Sequence, residues 1–195
     1  MCIRDRGGSF SANRKVADHS CECCRVAVSR ADNSGAAVFW RHIFPASTRD
    51  HAFAVLGADQ VAQPWMRATR DQWQIEACPH HGPDIDDAVQ GRHALTWFTA
   101  APDRRGIFFA NLNLQTGELE NLTLLSGAAG ASHPQVLQPN SEEIYTAWKQ
   151  FDGELTHLLL NYSADGGKTW RDAISVAHTD GESDHPLLLR NGAGL

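Results

Sequence analysis

Short apolar runs, bounded by glycine, asparagine, aspartate and proline, recur along the chain. They are rich in β-branched and aromatic residues, as in AVFW at 37–40, ALTWFTA at 94–100 and HLLLNYS at 157–163. Runs of this length and composition are typical of strands rather than helices. The segment nearest to a helical pattern, residues 59–68, is interrupted by Pro64. The pattern therefore predicts an all-β protein.

A repeat of slightly more than 50 residues organises these strands. Equivalent strands carry the tryptophans Trp40, Trp97 and Trp148. Upstream segments that contain proline carry three histidines at steps of 52 residues: His81, His133 and His185. Independent features that share one period indicate an internal structural repeat.

Each repeat contains a histidine–proline strand, a tryptophan strand, a third strand, and a turn that leads to a fourth strand. Four strands per unit at this period are typical of β-propeller blades. The predicted blades are about 16–70, 78–125 and 131–178, with 184–195 as the start of a fourth. Because propeller rings contain four to eight blades, we expect a partial propeller that is a fragment or closes by association.

Composition and charge narrow the classes of partner. The net charge of −6 provides no electrostatic reason to expect nucleic acid, and no apolar run approaches the ~20 residues that span a membrane. Residues 1–15 contain no apolar stretch of the kind found in a secretory signal. We expect them to be a non-native or disordered leader.

Four cysteines form the first candidate site. Cys21, Cys23 and Cys24 are clustered, and Cys78 occupies the equivalent place one repeat later, so adjacent blades would bring the four together. Three interpretations remain open: a disulfide between Cys78 and one of the cluster, a thiolate metal site with His80 or His81, and free structural thiols. The two C-x₂-C pairs of standard structural zinc sites are not present.

The histidines form the second candidate site. First strands line the central channel of a propeller, so His81, His133 and His185 are expected to converge near its axis, where they would bind a sugar, a carboxylate or a metal. The alternative is that the histidine–proline step is blade architecture. Arg25 and Arg41 are the candidate ligand-binding arginines, since Arg41 lies on a strand that could face the channel.

A compact turn motif follows the third strand of the last complete repeat. Its members, in the order S-x-D-x-G-x-T-W, are Ser163, Asp165, Gly167, Thr169 and Trp170. The acid and hydroxyl are predicted to cap the turn, the glycine to supply a positive φ, and Thr169 and Trp170 to begin the next strand. The Trp170 indole is predicted to fold back over the turn as a hydrophobic plug. Weaker counterparts occur at Asp59 and Asn113.

The stretch SADGGKTW resembles the Asp-box, or BNR repeat, of the sialidase superfamily. CECC at 21–24, DQWQIEACPHHGP at 71–83 and ALTWFTA at 94–100 are similar to bacterial exported BNR-repeat proteins. The resemblance implies a six-bladed sialidase-like propeller, a structural Asp-box at the blade periphery, and a periplasmic or extracellular location.

The resemblance also implies two functions. The first is a non-catalytic propeller that binds a glycan or a protein partner at the channel mouth. The alternative is an exo-sialidase-type glycoside hydrolase whose catalytic residues lie partly in missing blades. Sialidases combine an arginine triad, an aspartate acid and a tyrosine–glutamate nucleophile, and no motif in the sequence assigns these, so the catalytic residues stay unassigned. We expect binding without catalysis and no cofactor.

Overall fold

The protein is built from β-strands. The computed structural model describes residues 13, 15–31, 35–57 and 64–191, in which twelve strands form three four-stranded antiparallel sheets. The prediction of an all-β protein is confirmed. Within those ranges, no helix has the length and apolar character needed to cross a membrane. The predicted leader, apart from residues 13 and 15, lies outside the described residues.

Each sheet is a meander whose strands follow chain order. The first sheet contains β1 (Ala27–Ala31), β2 (Gly35–Arg41), β3 (His51–Leu56) and β4 (Met66–Arg67). The second contains β5 (Asp84–Ile85), β6 (His93–Ala101), β7 (Arg104–Leu112) and β8 (Leu119–Ser126). The third contains β9 (Ala131–Leu137), β10 (Ile144–Phe151), β11 (Thr156–Ser163) and β12 (Ile174–Thr179). Residues 184–191, predicted to begin a further blade, contain no strand.

The tryptophan repeat corresponds to the second strand of each sheet. Trp40, Trp97 and Trp148 lie in β2, β6 and β10 and are at most 4% exposed. Trp97 packs in the core between the first and second sheets, and Trp148 packs between the second and third. All three indoles therefore belong to the core.

Neighbouring sheets are joined through their first strands, because β1 contacts β5 and β5 contacts β9. The carboxylate of Asp84 accepts a hydrogen bond from the Val136 backbone N–H at 2.9 Å, and that of Asp86 accepts one from Gln138 at 2.6 Å. Both bonds join residues 52 positions apart, which is the sequence repeat. Arg190 donates to the Gln138 carbonyl at the same separation. The repeat therefore sets the contacts between sheets.

The Asp-box forms a closed network of hydrogen bonds. The Asp165 carboxylate accepts from the backbone N–H groups of Lys168 (3.0 Å) and Thr169 (2.9 Å), and from the Thr169 hydroxyl at 2.6 Å. The Ser163 hydroxyl accepts from the Gly167 N–H at 2.9 Å. The hydrogen bonds from Thr169 are the largest of the effects that lower the pKa of Asp165 to about 2. A partial version occurs at Asn113, whose side chain accepts two backbone N–H groups, whereas Asp59 lies outside the described residues.

Trp170 closes this turn against the second sheet rather than beginning a strand. Its indole N–H donates to the Gly167 carbonyl at 3.2 Å, and its ring meets Phe109 of β7 edge-on at 4.9 Å. Strand β12 begins only at Ile174. The expectation that Thr169 and Trp170 start the strand is therefore wrong, because the indole is used to pack one sheet on the next.

Gly167→Ala tests this packing. Gly167 has φ +89°, and a Cβ there would lie 2.3 Å from the Phe109 ring. We expect the free energy of unfolding to fall by about 2–4 kcal/mol, the sum of left-handed strain and overpacking. The matched control is Gly91→Ala, at φ +75° with no atom within 4 Å, which should cost only about 1–2 kcal/mol. Equal losses in urea unfolding would contradict the role assigned to the Phe109 contact.

Asp84→Asn tests the junction between the second and third sheets. Burial is the main cause that raises the pKa of Asp84 to about 6, against 3.8 unfolded. Between these values the folded state holds more protons, so stability falls as pH rises through about 6, by at most about 3 kcal/mol. His81 and His133, whose pKa values are lowered by burial, contribute the opposite slope in this range, so the test is a difference between two proteins. In urea unfolding from pH 4 to 7, the stability of the wild type minus that of Asp84→Asn should fall as pH rises. The exposed control Asp180→Asn should keep the wild-type profile, and parallel profiles for all three proteins would contradict the assignment.

Candidate functional site

Three histidines from successive repeats lie in one row, which we call the histidine row. His81 precedes β5, His133 lies in β9, and His185 follows β12. Ring centroids are 5.0 Å apart for His81 and His133, and 4.2 Å apart for His133 and His185. The structure thus brings together the three residues that the 52-residue spacing selected.

Two members of the row are neutral imidazoles. Burial, followed by the positive charge of neighbouring groups, lowers the pKa of His81 to about 3 and that of His133 to about 4. Among the described residues, the Nδ1 atoms of His81 and His133 are buried and have no hydrogen-bond partner. His185, in contrast, is hydrogen-bonded to the Asp184 carboxylate at 2.8 Å. A neutral imidazole has one donor and one acceptor nitrogen, so the row presents polar atoms suited to a ligand.

The backbone at the centre of the row is strained. His133 has φ +54°, which is uncommon for a residue with a side chain. The pairing of β9 with β10 shifts register between Ala147 and Lys149, opposite Pro134, which has no N–H to donate. Such a bulge redirects a side chain, and strain of this kind is concentrated at functional sites.

Two cations flank the row. The positive charge of half-buried Arg25 contributes to the lowered pKa of His133. Lys149 Nζ donates to the Ser183 carbonyl and lines a groove of about 300 Å³ beside His185. Asp84 and Asp86 instead have carboxylate oxygens engaged in hydrogen bonds to the third sheet. The two basic side chains are therefore the charged groups best placed to meet an anionic ligand, although the Lys149 ammonium also donates to the Ser183 carbonyl.

Arg41 has a structural role, in contrast to its assignment as a ligand-binding candidate. It is 1% exposed. Its guanidinium donates to the carbonyl oxygens of Arg49, His81 (3.0 and 3.1 Å) and Phe98 (2.7 Å), and it stacks over Trp73 at 4.9 Å. All of these groups belong to the protein, so a ligand at the row would not reach the guanidinium.

The four cysteines of the repeat region also come together, and we call them the thiol cluster. The sulphur of Cys21 lies 3.0 Å from that of Cys24 and 3.7 Å from that of Cys23. These three sulphur atoms all lie within 4.8 Å of one another. Cys78 adjoins Cys23 and is exposed. All four are free cysteines in the structure, so the predicted disulfide to Cys78 is not present.

Burial and hydrogen bonding together set the pKa values of the thiols. Burial, then the hydrogen bond with Cys21, raises the pKa of Cys24 well above its usual range. Burial alone would also raise the pKa of Cys23, but hydrogen bonds from Cys78, from the His80 backbone and from the other thiols outweigh it and lower that pKa. Cys23 is thus a member of the cluster whose pKa is lowered, in contrast to Cys24 and Cys78.

The segment 78–82 joins the cluster to the row. Its His80 backbone interacts with the Cys23 sulphur, and its His81 carbonyl accepts from Arg41. A Cβ at Gly82 would lie 2.5 Å from the Arg25 carbonyl oxygen, so this close approach requires glycine. Gly82, in the sequence CPHHGP, is a signal from which such a close approach could have been predicted.

A tyrosine–glutamate contact lies away from both features. The Tyr162 hydroxyl donates to the Glu143 carboxylate at 3.3 Å. Tyr162 pairs with Tyr145, which pairs with Leu137 at the end of β9, whereas His133 lies near its beginning. Sequence reasoning missed this contact, because only the register of β10 and β11 brings the two residues together.

No family model and no curated protein sequence matches this chain. The class that the structure itself defines is an all-β protein of three four-stranded antiparallel sheets with a histidine row and a thiol cluster. Its function must therefore be argued from these two features.

The protonation of His133 is open to direct measurement. With a folded pKa of about 4 against 6.5 unfolded, the unfolded state binds more protons between these values, so stability is lost as pH falls from 6.5 to 4. Asparagine tolerates positive φ, so His133→Asn is the test variant. Because Asp84 contributes the opposite slope in this range and His81 a similar one, the stability of the wild type minus that of His133→Asn is compared in urea unfolding, and this difference should fall as pH decreases from 6.5 to 4. For the exposed control His178→Asn, the corresponding difference should not change with the His133 titration. An NMR titration in which His133 protonates near pH 6.5 would contradict the assignment.

Proposed function

We propose that the three sheets are consecutive blades of a sialidase-like β-propeller, and that the chain binds an acidic glycan where the first strands meet. The observation that carries the proposal is the histidine row, in which equivalent side chains of successive repeats lie 4.2–5.0 Å apart. Side chains separated by one repeat meet in this way when the repeats are arranged around a common axis.

The order of strands supports a radial arrangement. First strands contact one another from sheet to sheet, whereas the last strands β4, β8 and β12 make their main contacts with the third strand of their own sheet. In a propeller blade the first strand is innermost and the last is outermost. The contact of the Asp-box residue Trp170 with Phe109 of the preceding sheet is consistent with packing between neighbouring blades.

The chemistry of the row favours a carboxylate-bearing sugar. Neutral imidazoles at His81 and His133 donate to and accept from hydroxyl groups, while Arg25 and Lys149 supply positive charge for a carboxylate. The row also has apolar surroundings, since the His81 ring packs on Phe98 at 4.3 Å, and a groove of about 300 Å³ lies beside His185. An apolar wall with a few placed polar groups is typical of small-ligand sites.

The arrangement favours binding over hydrolysis. Retaining sialidases need a nucleophile beside the bound sugar, and among the described residues the Tyr162–Glu143 contact lies at the opposite end of the third sheet. Asp84 and Asp86 are engaged with the backbone of the third sheet. We therefore propose a non-catalytic binding protein, and its resemblance to exported proteins supports a location outside the cytoplasm.

Calorimetric titration with matched sugars tests the proposal. The 195-residue chain should bind N-acetylneuraminate and glucuronate, and should bind glucose, which lacks the carboxylate, more weakly. His133→Asn removes an imidazole from the row and should weaken acid-sugar binding roughly tenfold, the value of one hydrogen bond. His178→Asn is the control.

The proposal would be overturned if the chain bound neither of the two acidic sugars, or if His133→Asn and His178→Asn bound them with equal affinity. Release of the aglycone from a fluorogenic sialoside would contradict its non-catalytic part and support the hydrolase alternative.

A further inference from the structure

We propose that Cys21, Cys23, Cys24 and Cys78 bind one thiophilic d¹⁰ metal ion, Zn(II) or Cu(I), as thiolates. The proposal is independent of sugar binding, because it stands on the thiol cluster and not on the histidine row. Thiolate sulphur is the ligand that selects these ions in proteins.

The distances between sulphur atoms fit a common ion. Four sulphur atoms placed tetrahedrally at 2.3 Å from a metal lie about 3.8 Å from one another. The Cys21–Cys23 separation is 3.7 Å, and the Cys21–Cys24 separation is 3.0 Å. Small changes in side-chain torsion therefore suffice to place three sulphurs around one ion. Separations of this size exceed the ~2.05 Å of a disulfide bond.

Cys78 provides the fourth position and the route of entry. It lies outside the group of three sulphurs within 4.8 Å, but it contacts the side chain and backbone of Cys23. Its side chain is exposed, so a change of rotamer toward Cys21 meets little resistance. An ion arriving from solvent would meet Cys78 and half-exposed Cys23 before the buried pair, Cys21 and Cys24.

The buried guanidinium of Arg41 lies beside the thiol cluster, where it would offset the negative charge of a metal bound by four thiolates. Arg41 is 1% exposed and interacts with the sulphur of Cys24. Its hydrogen bonds to oxygen go to backbone carbonyls, and no carboxylate in the described part of the chain accepts from it. Asp71 is a nearby acidic group whose charge acts on this guanidinium without accepting a hydrogen bond from it, and burying a cation with little compensating charge is costly. Four thiolates around Zn(II) carry a net charge of −2, which Arg41 would partly neutralise.

Backbone hydrogen bonds fix the chain that carries the thiols. The Cys21 N–H donates to the Arg41 carbonyl at 2.9 Å, and the Cys24 N–H donates to the Cys21 carbonyl at 3.3 Å. The His80 backbone donates to the Cys23 sulphur. Outer-shell hydrogen bonds of this kind orient ligands and tune affinity.

The experiment loads the reduced 195-residue chain with Zn(II) or Cu(I) and measures the mass of the intact complex by native mass spectrometry. We expect one ion per chain, and a chelator should remove it. When all four cysteines coordinate the ion, the complex should carry four fewer protons than the apo protein. Co(II) substitution should produce thiolate-to-metal charge-transfer absorption, and competition with a chromophoric chelator then determines which ion binds more tightly.

Variants identify the ligands. Cys78→Ser changes an exposed side chain and should leave the fold intact while weakening metal binding by more than the about 10–100-fold typical of outer-shell losses. Cys2→Ser is the matched control among the five cysteines and should bind like the wild type. Cys21→Ser should abolish the charge-transfer absorption. The sugar titration above reports separately on the proposed function.

Three results would overturn the proposal. The first is no retained metal in the fully reduced protein. The second is a Cys78→Ser variant that binds as tightly as Cys2→Ser. The third is a protein purified without reductant that contains a disulfide of Cys78 and, after reduction, takes up neither ion, which would favour the disulfide interpretation.

Discussion

The buried guanidinium of Arg41 is the interaction on which both candidate features depend. It lies at the end of β2 and donates to carbonyls before β5 and within β6, so it crosses from the first sheet to the second. A cation in this position must have its donors satisfied, because water cannot reach them. The His81 carbonyl satisfies two of them, which fixes the segment that carries His81 and Cys78. The thiol of Cys24 lies at the same guanidinium.

The repeat explains why polar groups meet at the first strands. Backbone groups at the edge of a sheet need partners, and here Asp84 and Asp86 accept from the third sheet at positions one repeat away. Arg190 likewise donates to the carbonyl of Gln138, which lies one repeat earlier in the chain. Since these bonds align equivalent residues, any side chain that recurs at the repeat spacing lies beside its counterparts. The histidine row follows from that alignment together with the bulge at His133.

Much of the fold was predictable, because it depends on local pattern. Short apolar runs indicated strands, the tryptophan spacing identified the second strand of each sheet, and the Asp-box residues indicated a capped turn. Three features were not predictable, because they depend on tertiary register. The burial of Arg41 contradicts the usual exposure of arginine. Trp170 lies before β12 and packs on Phe109, and Tyr162 contacts Glu143 only across a hairpin.

The two features are mechanically connected even though they suit different ligands. Residues 78–82 carry a thiol at one end and Gly82 at the other, and Gly82 packs directly on Arg25. A metal held by Cys23 and Cys78 would therefore fix the start of this segment, while Arg41 holds its middle through the His81 carbonyl. The position of the His81 ring then follows from constraints at both ends. In this arrangement a metal bound at the thiol cluster would act as a rigid support for the first member of the histidine row, and would thereby help to position the proposed ligand site.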